Sequence, residues 1–168
     1  GFARGSVSEP SLYALAGMAA TTRSIMGYVR DVDALRRAMR DCDPEVVLPL
    51  AAQPLVRHSY DDPLTTFSTN VMGTANILDA ARGMSSLRSA VMITSDKCYE
   101  NHEWEWPYRE ADMLRRHDTY SSSKAATVTV AASYLRSFFA DRSTRAPVAA
   151  RAGAGLSGGE PYSVRRVA

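Results

Sequence analysis

With 168 residues the chain can bury one real core but is short for two domains. Its 45% hydrophobic and 23% charged composition is that of a soluble globular protein, and a net charge of +2 from scattered basic residues argues against a nucleic-acid-binding face. No apolar run is long enough for a bilayer, no signal segment opens the sequence, and Cys42 and Cys98 lack metal-ligand spacing, so a cytoplasmic protein with reduced thiols and no metal is expected.

Residues 11–19 suit a short helix or packed connection, and 23–29 a strand. Asp31 is placed to cap a helix over 32–42, where Val32, Leu35, Ala38 and Met39 fall at helical spacing; Asp43-Pro44 ends it. The run 45–52 predicts a strand buried on both faces. Pro63 opens a long helix to about Arg82, with Phe67, Val71, Ala75, Ile77 and Leu78 available to pack. Residues 88–95 predict the next buried strand, and 98–118, with two tryptophans, a long loop of the kind that is usually functional. A second long helix over 119–140 and a strand over 146–151 follow, and the glycine-rich, then basic tail shows no element.

Alternating helices and strands predict a parallel sheet covered by helices. A dinucleotide-binding domain of that kind begins with a strand, a glycine turn and a helix that holds the pyrophosphate. Here Gly1-Phe2-Ala3-Arg4-Gly5 has no strand before it and no clear helix after it.

Tyr120 and Lys124 lie four apart on a predicted helix and so share a face. An ammonium beside a phenol favours the phenolate and lowers its pKa, which makes a base for a substrate alcohol. The same spacing occurs by chance on many helices, but Ser121, Ser122 and Ser123, poor interior helix formers, stand between the pair. Thr94, Ser95, Asp96 and Lys97 fall at the C-terminal end of a predicted buried strand, where open parallel sheets bind ligands. Only two of the twenty cations are lysines, and both stand in these segments, where a compact titratable ammonium would be needed. Ala51, Ala52 and Gln53 end the 45–52 strand, where small residues serve either close cofactor approach or tight packing.

The runs AAQPLVRHSYDDPLTTFSTNVMGTANILDA, ITSDKCYENHEW and HDTYSSSK resemble, in order and spacing, the CDP-glucose 4,6-dehydratase branch of the extended short-chain dehydrogenase/reductase family. The resemblance covers nearly the whole chain, and SDKCYEN is its specific part, because related dehydratases usually carry Glu where Lys97 stands. It implies an incomplete Rossmann-like, doubly wound α/β sheet, one partial NAD-binding domain over 1–168 without the first βα unit or most of the C-terminal substrate lobe. It also implies NAD as cofactor and CDP-glucose as substrate. By the same resemblance Tyr120 would be the base at the sugar 4-hydroxyl, Lys124 would lower its pKa and hold the nicotinamide ribose, and Ser95 would bond the 4-oxygen. Asp96 would help expel the 6-hydroxyl and Lys97 would assist proton removal at C5. Ala51, Ala52, Gln53, Asn70, Thr94, Tyr120 and Lys124 would line the cofactor.

The departures fall on binding residues. Gly1–Gly5 reads as a remnant of the glycine turn, Tyr28 replaces an Asp, Pro49 a His and Ala154 an Asn, and the family's sequence beyond about Arg166 has no counterpart. Three readings stay open: the dehydratase, another nucleotide-sugar epimerase or reductase, and a non-catalytic remnant. A homodimer through the helices at 63–82 and 119–140 is a further expectation of the family.

Overall fold

The computed structural model describes residues 1–6, 8–109, 111–114, 117–139, 148–152 and 165–166. Among the described residues the elements run β1 Phe2–Ala3, α1 Leu12–Leu15, β2 Ile25–Met26, α2 Val32–Cys42 and β3 Val46–Val47, then α3 Val56–Asp61, α4 Pro63–Phe67 and α5 Gly73–Ala81. β4 Ser89–Ile93, α6 Thr119–Phe138, β5 Val148–Ala152 and β6 Arg165–Arg166 complete the order. β3, β4 and β5 are parallel neighbours, β6 runs antiparallel to β5, and β1 pairs with β2 in a separate parallel sheet.

The caps read from sequence hold. Asp31 accepts from the Ala34 amide at 2.9 Å, and Asp43 ends α2 in the left-handed conformation (φ 43°, ψ 58°). Leu35, Ala38 and Met39 bury the inner face of α2. Met39 joins Leu78, Ala80, Ala81, Leu87, Ala90, Met92 and Phe139 in the main core, which α6 flanks with Val130, Ala131, Tyr134 and Leu135. A second cluster, Val29, Leu35 and Ile77, is touched by Phe2 of β1 and by Val47 of β3, so the two sheets share one apolar floor. Gly73 allows this approach: a Cβ there would stand 2.8 Å from Val29 Cγ2. The resulting order, β2-β1 and then β3-β4-β5, is that of a doubly wound sheet with no strand between β1 and β3 among the described residues.

Several expectations are corrected. Gly1–Gly5 is no glycine turn: Phe2–Ala3 is a strand, Gly1 O accepting from Ile25 N (2.8 Å) and Ala3 O from Gly27 N (3.0 Å). The 45–52 segment is a strand only at Val46–Val47, and Val46, Leu48 and Leu50 are more than half exposed, because β3 is paired on one side and Pro49 offers no amide. The helix expected from Pro63 to Arg82 is interrupted by a π-helical turn at Ser68–Met72, and α3 precedes it unforeseen. β4 buries Ala90 and Met92 on one face while its alternate residues stay half-exposed. The tail carries β6 where no element was expected, while Ala154 lies outside the described residues.

Candidate active site

The functional candidates meet where β4 ends. From Ser95 the chain turns into a 3-10 turn, Asp96–Cys98, whose start Ser95 caps by accepting from Lys97 N at 3.2 Å. The Ser95 hydroxyl also donates to Asp96 Oδ1 at 3.1 Å. α6 packs against this turn, and Asp118 caps α6 by accepting from Ser121 N at 2.8 Å. That cap sets the first helical turn so that Tyr120 lies against the turn, close enough to Ser95 for its hydroxyl to favour the phenolate. One turn later Lys124 is 8% exposed, and its Nζ donates to Ile93 O at 3.5 Å. The expected pair therefore does share a face, and both members point to the C-terminal end of β4.

Asn70 joins the other half of the site. Its side chain accepts from Gln53 N at 2.8 Å and donates to Gln53 O at 3.1 Å and to Ser123 Oγ at 2.8 Å. Its own carbonyl accepts from Thr74 Oγ1 (2.7 Å) and Thr127 Oγ1 (3.2 Å). The π turn frees this geometry, since a widened turn presents a carbonyl and side chain that a regular helix would direct elsewhere. Gln53 in turn donates to Thr66 Oγ1 at 2.8 Å. The segment after β3, the π turn and α6 are thus held by buried polar bonds, each costly to leave unmade. Ala51 is exposed and Ala52 half-buried beside this clamp; Thr94 is buried, whereas Lys97 is exposed.

Electrostatics correct one expectation. Burial raises the Tyr120 pKa above its ordinary value; the Ser95 hydroxyl opposes this, and the charges of Asp96 and Asp118 add to it. Lys124 is not among the causes, and its own pKa is lowered by burial. Sharing a helical face was not enough, because the ammonium lies toward the β4 carbonyl and both groups are desolvated. Burial pushes the Asp118 carboxyl up, but its bonds from Ser121 and the field of Lys97 outweigh this and leave the pKa lowered.

Asp118 and Thr127 were not read from sequence, and Ser123 was noted there only as one of the serines between Tyr120 and Lys124. An acidic residue two before a helical tyrosine is a recognisable cap signal. Nothing local indicates that Ser123 would meet Asn70 across 53 positions. A cleft of about 490 Å³ lined by Arg36, Arg40, Asp79, Arg82 and their neighbours shares no residue with this rim.

A family model described as GDP-mannose 4,6 dehydratase matches residues 11–145. The CDP-glucose 4,6-dehydratase of Salmonella typhimurium is 42% identical over 139 residues, covering 83% of this chain and 39% of that protein. A double mutant of DesIV, a dTDP-glucose 4,6-dehydratase from Streptomyces venezuelae with NAD and DAU bound, superposes with a TM-score of 0.69 at 25% identity, over 76% of this chain and 39% of that one. The Thermus thermophilus UDP-glucose 4-epimerase complex with NAD gives 0.63 at 26%, over 70% and 38%. The chain therefore spans about two fifths of the length of these proteins.

Proposed function

We propose a reaction for this chain from the premise that it belongs to the GDP-mannose 4,6 dehydratase family: nucleotide-sugar 4,6-dehydration, with CDP-glucose converted to its 4-keto-6-deoxy product. The 42% identity to the Salmonella typhimurium enzyme supports the choice of nucleotide sugar. The observation that carries the reading is the meeting of the Tyr120 phenol, Ser95 and the Lys124 ammonium at the end of β4.

In this reading Tyr120 takes the proton of the sugar 4-hydroxyl while Ser95, beside the phenol, holds the 4-oxygen. Asp96 delivers a proton to the departing 6-hydroxyl, and the exposed Lys97 assists proton removal at C5. Lys124 is a buried ammonium with a single long protein hydrogen bond among the described residues, which leaves donors for the hydroxyls of a bound ribose. With Ala51, Ala52, Gln53, Asn70, Thr94 and Tyr120 it fits the nicotinamide end of NAD. NAD supplies, when bound, the acceptor for the hydride of C4 and its return to C6. A phenol whose pKa is raised by burial is a strong base once ionised but scarce in that form near neutrality, so the rate should climb as pH rises.

The chain would act as part of one Rossmann-like domain, in the cytoplasm; no described helix is long and apolar enough to cross a membrane. Exposed Leu64, Phe67, Met72 and Phe138 on the helices at 63–82 and 119–140 support a homodimer through that face. The test is incubation of the purified protein with NAD and CDP-glucose, reading the 4-keto product. Tyr120→Phe should lower turnover about 10²–10⁴-fold without changing thermal stability. Undiminished turnover in that variant would overturn the role of Tyr120, whereas an epimerised sugar as product would reassign the reaction.

A further inference from the structure

Where α2 packs against α5 an open cleft of about 490 Å³ lies between them. Arg36 and Arg40 of α2 form one wall, and Asp79, Arg82, Gly83 and Met84 at the end of α5 form the other. A chain of ion pairs crosses it. The Asp79 carboxylate accepts from Arg36 Nη2 across the joint and from Arg82 Nη1 at 3.1 Å, while Arg36 Nη1 donates to Asp33 at 3.2 Å. The Arg82 guanidinium is pinned from a second side, its central carbon 3.9 Å from the centre of the Phe138 ring. One planar cation is thus held in a fixed orientation on each wall. Arg40, one turn beyond Arg36, makes no ion pair among the described residues.

Surface arginines are ordinarily just solvated, and an exposed ion pair contributes little to stability. This group differs in how it is arranged. A guanidinium carries five N–H donors, and the ion pairs above take two from Arg36 and one from Arg82. Most of the donors therefore stay available to an occupant of the cleft. Three guanidiniums converge there with a single carboxylate among them. The carbonyl ends of α2 and α5 add about half a negative charge each, which still leaves the cleft positive. Its volume falls within the roughly 300–1,000 Å³ of small-molecule sites. Cations on two facing walls suit an anion with two charged groups, each taking charge-assisted bonds.

We propose that this cleft is an anion site that takes the diphosphate group of a small molecule, one phosphate on Arg36 and Arg40 and the other on Arg82. It shares no residue with the rim at the end of β4, so it stands independently of the nucleotide-sugar reading. Because α2 carries the cluster that docks the N-terminal part and α5 belongs to the main core, an occupant ties the two together. Free pyrophosphate and a nucleoside diphosphate present the same group, and the experiment separates them.

The purified protein is titrated calorimetrically at low ionic strength with pyrophosphate, orthophosphate and adenosine 5′-diphosphate. Expected is saturable binding of pyrophosphate, weakened by added salt, with orthophosphate about tenfold weaker. Arg40→Gln, at an exposed position without an ion pair, should leave the fold intact and weaken pyrophosphate about threefold to fivefold. Arg82→Gln should weaken it comparably, and Arg40→Glu should abolish binding. Lys97→Gln, which removes the exposed ammonium of the rim, should leave the affinity unchanged. Absence of saturable binding, equal binding of orthophosphate, or full affinity in Arg40→Glu would each overturn the proposal. So would a loss in Lys97→Gln without one in the arginine variants, because the diphosphate would then sit at the rim. Adenosine diphosphate binding tighter than pyrophosphate, and lost in Arg40→Glu, upholds the site and assigns it a nucleotide. Equal binding lost in the same variant upholds it for the free diphosphate. Turnover is not read: a protein that binds pyrophosphate in the cleft but forms no 4-keto sugar sinks the dehydratase reading alone.

Discussion

From Val46 to Phe139, joined by Met39 of α2, apolar side chains converge on one cluster beneath β4, and buried amide and hydroxyl groups tie Gln53, Asn70 and Ser123 together. From Gly1 to Arg30, by contrast, only Ser11 and Val29 are buried among the described residues, and β1 and β2 are two-residue strands held to each other. The rim residues thus stand on the part of the molecule that has its own core, while the N-terminal part is attached through Phe2, Val29 and the α2 helix. A site that must hold a phenol, a serine and an ammonium to a fraction of an ångström needs rigid supports. The comparison shows which part of this chain supplies them.

The sharpest way to break that contrast is to cut into the core. Leu87, with no exposed surface, should cost about 4 kcal/mol as Leu87→Ala by chemical denaturation. Next comes the polar clamp: Asn70→Ala removes the partner of the buried Gln53 amide and carbonyl and one partner of the Ser123 hydroxyl, and should cost about 3 kcal/mol in the same measurement. Asp118→Ala removes the α6 cap for about 1 kcal/mol, whereas Asp118→Asn keeps a capping side chain and the stability. The asparagine variant has a second readout. The Asp118 charge raises the Tyr120 pKa, so its removal should lower that pKa and move the acid limb of the pH–rate profile to lower pH. The Asp96 charge and the nearby Ser95 still act on the phenol, and Tyr120 ring-carbon NMR titration checks the shift without turnover. In the N-terminal part Leu12→Ala, at a 79% exposed site, should change stability by less than about 0.5 kcal/mol. A cost near that of Leu87→Ala would mean that the two regions are not distinct.

Local signals were legible where they act locally. Asp31 with the spacing of Leu35, Ala38 and Met39 foretold α2, and the alternation of helix and strand foretold the parallel order. The place of Tyr120 and Lys124 beside the end of β4 was also readable, since spacing on a helix and position after a strand are both sequence quantities. What depends on a distant partner was not. The length of β3 depends on which edges are paired, and Val46 and Leu48 are apolar enough to suggest a fully buried strand. The direction of the Tyr120 shift required knowing where the ammonium lies and how deeply both groups are desolvated. The link between Asn70 and Ser123 required the fold itself.

The π turn at Ser68–Met72 reaches beyond the bonds of Asn70. Rewinding it as a regular helix would rotate every later position on that helix by most of a right angle about the axis. Gly73 would then no longer meet Val29, Asn76 would lose the carbonyls of Val29 and Arg30 that its amide reaches at 2.9 and 3.2 Å, and Ile77 would leave its cluster. One irregular turn therefore sets two registers at once, the seating of the polar clamp and the docking of the N-terminal part, so that neither can be retuned by mutation without disturbing the other.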